Sequence, residues 1–189
     1  NFAIVPVPMG PAFKLEFPEV KSFVRFNGAG NALMKAGNKE YYEQDIYFTD
    51  STVFDIFTHE FILGSPERAL TEPKSIVLTE KLAKKYFGDS NPMGQFLTSG
   101  SGRSYKVTAV IANQPPNVHL KYDALISQAT LVEETGDEDF NSMEPGRFWN
   151  IGVYTYVLLH ENSYIESIHR KFQPFYDKYM APIGDQINA

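Results

Sequence analysis

Residues 75–96 read SIVLTEKLAKKYFGDSNPMGQF, and the change of period inside this run decides the fold class. Residues 75–78 form a short apolar strand. Thr79 then stands where a hydroxyl can accept an orphan backbone N–H of a first helical turn. Leu82, Ala83, Tyr86 and Phe87 follow at the three-to-four spacing that lines one helical face, with Lys81, Lys84 and Lys85 on the wet side. Gly88 falls where a helix ends in a left-handed residue. Asn91-Pro92 forbids continuation, Met93-Gly94 turns the chain, and Phe96 and Leu97 open the next extended run.

Upstream, residues 1–9 are apolar and Pro-rich and read as an extended arm. Residues 10–17 predict a short helix, with Pro11 tolerable in its first turn. Val20, Ser22, Val24 and Phe26 alternate with Lys21, Phe23 and Arg25, which predicts a strand with one better-buried face. Residues 27–38 read as a Gly-rich loop or a weak hairpin, and 40–48 as an aromatic extended segment. Asp50 is expected to cap a helical turn whose Phe54 and Phe57 point inward. Residues 63–73 read as an irregular connection.

Downstream, residues 98–102 predict a hairpin turn into a strand over 105–112, with Tyr105, Val107, Ala109 and Ile111 on one face. Residues 114–117 break the chain. A strand over 120–127 and a short helix over 128–134 follow, then an acidic loop over 135–144 that reads as mobile. Residues 152–160 predict a strand covered on both faces. Ser163 and Glu166 predict a capping box for a last helix striped by Ile165, Ile168, Phe172, Phe175, Tyr176 and Tyr179, with Pro174 expected to kink it. No repeat is evident. The sum is an α+β fold.

The ordered segments resemble the MacB-like periplasmic core domain of ABC transporter permeases. The likeness rests on the central V-L-T-E, L-A-K-K-Y-F-G-D and N-P-M-G strings. It extends to Phe17-Pro18-Glu19-Val20, Tyr47-Phe48-Thr49-Asp50 with Phe54-Asp55-Ile56-Phe57, and Leu63-Gly64 with Ala69-Leu70-Thr71-Glu72-Pro73. Residues 105–112, 115–117 and 119–127, then Trp149 with 154–159, complete it. Two positions depart: Ala109 stands where the family has Gly, and Val118 where it has Ser. The resemblance implies one periplasmic core domain over 1–189 in two lobes. An efflux-pump-porter-like split βαβ lobe would take 1–48 plus 117–189, a β-rich lobe would be inserted at 49–116, and a first strand would be missing ahead of Asn1.

The 189 residues suffice for one substantial core, and 43% hydrophobic and 14% aromatic residues are globular values. Net charge is −6 and no basic run exceeds two residues, so the footprint of a nucleic-acid binder is missing. Cysteine is absent, which excludes thiol nucleophiles, zinc–thiolate sites and disulfides. No apolar run approaches the roughly 20 residues that span a bilayer. The chain opens on Asn1 without an export signal, so we read it as a soluble segment of a longer protein.

The chemistry-bearing residues are scattered. His59, His119, His160 and His169 lack metal-ligand spacing, and a structural or surface role is expected for each. Asp45, Asp50 and Asp55 are five apart, which puts no two on one helical face. Asp137, Glu138 and Asp139 lack the frame of an EF-hand. Residues 100–104, GSGRS, precede a strand and lack the G-K-[ST] ending of a phosphate cradle. The Lys81, Lys84, Lys85 face could meet headgroups or an acidic partner, with a plain solvated face favoured. Tyr41, Tyr42 and Tyr47 are partner-surface candidates if exposed. No residue is assigned as catalytic, cofactor-binding or metal-ligating.

The resemblance implies a non-enzymatic extracytoplasmic domain in the periplasm, tied to a bacterial inner membrane. Its implied partners are transmembrane helices of the same chain, a second permease copy, a cytoplasmic ATP-binding subunit or domain, and a periplasmic adaptor or lipoprotein. A stand-alone secreted or periplasmic ligand- or peptide-binding module is the alternative, and a hydrolase ranks third.

Overall fold

The computed structural model describes residues 4–187, with side chains up to Gly184. In chain order the elements are β1 (Ile4–Pro6), α1 (Met9–Glu16), β2 (Val20–Gly28), β3 (Ala32–Ala36), β4 (Lys39–Glu43), β5 (Ile46–Thr49), α2 (Val53–Ile56), β6 (Phe61–Leu63) and α3 (Pro66–Ala69). Next come β7 (Ser75–Thr79), α4 (Glu80–Phe87), β8 (Phe96–Ser99), β9 (Ser104–Ile111), β10 (Ala124–Ser127) and α5 (Ala129–Thr135). The chain closes with α6 (Asp137–Phe140), a 3-10 turn at Pro145–Trp149, β11 (Ile151–Leu159), α7 (Ile165–Tyr179) and α8 (Ala181–Ile187). This is a mixed α and β fold. It forms two compact units, one taking the chain up to Phe26 and again from Thr135, the other Asn27–Glu134.

The second unit holds β5–β10–β7–β9–β8–β3–β4 in that order, with β6 beside β9. Its centre is β7, every residue of which is buried. β7 runs parallel to β9 and antiparallel to β10, so two different neighbours satisfy its backbone. The pairing with β9 skips one residue, since Ile76 faces Val107 and Val77 faces Ala109. The bulged Thr108 donates its hydroxyl to the carbonyls of Ala69 and Ile76. The Thr79 hydroxyl accepts the Leu82 N–H at 3.3 Å and starts α4 as the sequence predicts. Leu82, Ala83 and Tyr86 then enter a core with Met34, Ile46, Leu78, Val107 and Ile126. Burying Leu82 alone contributes about 1.5–3 kcal/mol of transfer free energy. Gly88, at φ 63°, ends the helix.

The first unit orders its strands β1–β11–β2, with β1 antiparallel to β11. Its core is aromatic. Phe13, Phe17, Phe148, Phe175 and Tyr179 pack as edge-on or tilted rings with centroids 4.8–6.1 Å apart, the geometry their quadrupoles favour.

Several local expectations are corrected. For residues 27–38 the hairpin reading holds over the loop, since β3 and β4 pair antiparallel about a turn at Gly37, but the segment expected to be extended over 40–48 is divided between β4 and a separate β5. The turn at α2 has Thr52 at its N-cap with no side-chain cap, and Val53 is its buried residue, with Phe54 and Phe57 half-buried. Residues 63–73 begin on the last residue of β6 and contain α3. The strand expected over 120–127 is only β10, because the Gln114 carboxamide takes the Tyr122 N–H at 2.8 Å and holds the preceding residues off any ladder. The acidic stretch 135–144 is built around α6, anchored by the buried Phe140. β11 leaves Ile151 and Val157 exposed. The capping box is not formed: α7 begins after Tyr164 without a side-chain cap, and the Ser163 hydroxyl points to the Glu19 carbonyl at 3.5 Å.

Candidate functional site

The sequence candidates fall apart in space. His59 is structural. Its Nδ1 lies 2.9 Å from the Phe57 carbonyl, which can only accept, so Nδ1 carries the proton and Nε2 takes the Tyr122 hydroxyl. Burial pushes the His59 pKa down and keeps the ring neutral, a hinge-pin between two loops. His119 and His160 are exposed, and His169 on α7 lies against the Phe172 ring. Among the described residues no three His, Asp or Glu side chains converge in a metal-holding arrangement. Asp45 and Asp55 are exposed and Asp50 is half-buried. Asp137 accepts the Asn141 amide at 2.7 Å, an intraloop use. The GSGRS stretch is a reverse turn, with the Ser99 N–H on the Arg103 carbonyl at 2.7 Å.

The lysine face of α4 divides. Lys81 reaches Asp123 at 2.8 Å, a pair that raises the Lys81 pKa, and Lys84 stays exposed. Lys85 does something the helical pattern conceals. Its ammonium donates to Glu43 Oε1 at 2.6 Å, the Tyr86 hydroxyl donates to the same oxygen at 2.7 Å, and Lys85 Nζ sits 4.5 Å from the centre of the Tyr41 ring. Glu43 and Tyr86 are buried. Burial and the Glu43 carboxylate together push the Tyr86 pKa up, so the phenol stays a donor. This bolt fixes the β3–β4 hairpin to α4. Tyr41 and Tyr42 are 41% and 66% exposed, while Tyr47 is half-buried. A lone Glu closing an otherwise exposed aromatic strand was the signal available in sequence, and it points nowhere without α4.

The first unit repeats the device. Lys178 and Tyr179 of α7 both donate to Glu16 Oε1, at 2.6 Å each. Two to three turns earlier in the helix, Lys171 and Ser167 donate to Glu19 at 2.7 and 2.8 Å. The Lys171 ammonium and the Ser167 hydroxyl hold Glu19 well below the usual carboxylate range, down to about 2. Four donors from one face of α7 thus grip two glutamates at and just beyond the end of α1. These are holding arrangements: the carboxylates are charged and already engaged. None pairs a nucleophile with a free proton acceptor.

A two-unit, sheet-rich body with braced helices defines a structural class, and comparison with known proteins places it. The chain belongs to the MacB-like periplasmic core domain family, which matches residues 3–175. It is thus a MacB-like periplasmic domain. Among solved structures it is similar to a domain of a protein described as a permease from Porphyromonas gingivalis, at 23% identity and TM-score 0.76, over 95% of this chain and 73% of that one. It is also similar to the periplasmic region of MacB from Actinobacillus actinomycetemcomitans, at 16% identity and TM-score 0.62, covering 94% and 80%. A third likeness is to the extracellular domain of the noncanonic ABC-type transporter YknZ from Gram-positive bacteria, at 16%, TM-score 0.58, covering 88% and 79%. At these identities the likenesses carry the fold alone. No curated protein sequence matches the chain. No described helix is long and apolar enough to cross a membrane.

Proposed function

We propose that the domain is a passive relay. It has no catalysis of its own and passes movement from membrane helices of the same chain to an outward-facing partner during export or extraction. A cytoplasmic ATP-binding subunit or domain supplies the work, and a second permease copy supplies the opposing surface. The observation that carries this reading is the bracing of the first unit. β1 and α7 lie far apart in sequence, yet they belong to one unit, and α7 is locked to α1 and the turn after it through Glu16 and Glu19. A displacement applied to either element therefore moves one body, the rigid-body mode of switching. The Phe and Tyr core supplies the stiffness, since close-packed interiors transmit strain.

The test uses the parent permease with its ATP-binding subunit in lipid nanodiscs. A spin label at the exposed Glu161, introduced as Glu161→Cys, reports the distance between the two copies by double electron–electron resonance. The expected result is a shift of the distance distribution between ADP and a trapped ATP state. An unchanged distribution during continuing ATP turnover overturns the relay.

A further inference from the structure

One cavity in the second unit has the chemistry of a binding site and no part in the relay. It is a half-open recess of about 250 Å³ beside the β3–β4 hairpin. Its floor is the wall of the main core, formed by Met34, Ile46, Phe48, Tyr105 and Ile126, each no more than 7% exposed. Its mouth is polar and rich in donors: Asn31, Ser99, Ser101 and Arg103. Glu134 takes Arg103 Nη2 at 2.6 Å and fixes the guanidinium, which as a fork of five N–H donors keeps further donors for another acceptor. Burial pushes the Tyr105 pKa up, so the hydroxyl, beside Arg103 and Ser99, is a neutral donor too.

Size and polarity select the occupant. An apolar cavity of about 150 Å³ accommodates benzene, whereas drug-sized ligands fill roughly 300–1,000 Å³. The space here suits one ring or branched side chain with a short linker. A donor-rich rim over an apolar floor favours a guest with an apolar body and an acceptor head, and guanidinium favours a carboxylate.

We propose that this cavity binds a small apolar carboxylate, its hydrophobic body against the half-buried Ala29, Ala32 and Leu33 and the edge of Phe48, and its carboxylate on Arg103 at the mouth. The same chemistry is presented by a free acid and by a polypeptide C-terminus ending in an apolar residue.

The experiment titrates the ¹⁵N-labelled 189-residue chain with 3-phenylpropionate, 3-phenylpropanol and acetate, following amide shifts. Saturable shifts confined to the Leu33, Gly100 and Ser101 region are expected for the acid. Binding at least tenfold weaker is expected for the alcohol, and none for acetate. Arg103→Gln should reduce the acid to the affinity of the alcohol. Ala32→Leu, or Ala29→Leu should the first not fold, fills the cavity and should abolish both. A peptide ending in Phe, free or amidated, then separates the sources. Tighter binding of the free-ended peptide than of phenylpropionate assigns the site to a polypeptide end, and weaker binding assigns it to a free acid. Scattered or non-saturating shifts, equal affinities for acid and alcohol, or unchanged binding in a folded cavity-filled variant overturn the proposal.

Discussion

Two helices, one in each unit, carry the same Lys-Tyr step onto a single glutamate oxygen, and only their surroundings differ. Lys85 and Tyr86 of α4 meet Glu43, whose side chain is 8% exposed. Lys178 and Tyr179 of α7 meet Glu16, at 28%. The distances match to 0.1 Å, yet the physics does not. Removing one partner of a buried pair strands a charge or a donor away from water, whereas an exposed pair exchanges protein contacts for solvent at little cost. Geometry alone therefore does not rank the two clamps. Burial does.

The largest effect should come from Glu43→Ala. It strands the Tyr86 hydroxyl, leaving it only the Met34 carbonyl at 3.3 Å, and removes the partner of the half-wet Lys85. Discounting the 3–5 kcal/mol of a fully buried pair for the exposed lysine leaves about 3 kcal/mol. Urea denaturation of the isolated chain measures it, and a loss below about 1 kcal/mol would erase the distinction between the clamps. Tyr86→Phe should cost about 1–2 kcal/mol, since Glu43 keeps Lys85 and loses one hydrogen bond.

Glu16→Ala comes next, at about 1 kcal/mol or less. Its signature is salt dependence. In about 1 M salt the screening length falls to about 3 Å, and the difference from the parent chain should vanish. The Glu43→Ala loss should persist there. Denaturation curves at two salt concentrations decide it, and equal salt sensitivity would mean the two sites share one environment.

The same contrast governs what the amino-acid sequence revealed. The β7–α4 stretch was legible because every signal in it is local: an apolar run, a Thr cap, a helical stripe, a glycine stop. Its outward lysines looked solvated because the partner of Lys85 lies 42 residues away on a strand. The start of α7 misled for the same reason. Ser163 and Glu166 have capping-box spacing, but the serine hydroxyl is drawn to the Glu19 carbonyl, 144 positions earlier. The acidic 135–144 stretch hid α6 because one buried Phe140 outweighs a polar composition. The cavity beside β3 was invisible, since its floor residues read as ordinary core in four separate strands.

The smallest expected effect is also the most specific. Lys171 and Ser167 hold the Glu19 pKa near 2, against 4.5 for an ordinary glutamate, and Lys178 lowers that of Glu16 as well. A depressed carboxylate contributes stability that is whole above the unfolded pKa and lost as pH falls through the folded one. The melting temperature of the parent chain should thus fall as pH drops from about 4.5 toward about 2, with every native carboxylate contributing to the total. Glu19→Gln isolates its share: the variant should melt lower than the parent at neutral pH, and the gap should close across that window. Raising the pH above neutrality should leave the gap constant, since Glu19 is already ionised in both states. A gap that stays open at pH 2, measured by thermal melts in low salt, would show that Glu19 holds α7 through packing rather than through charge.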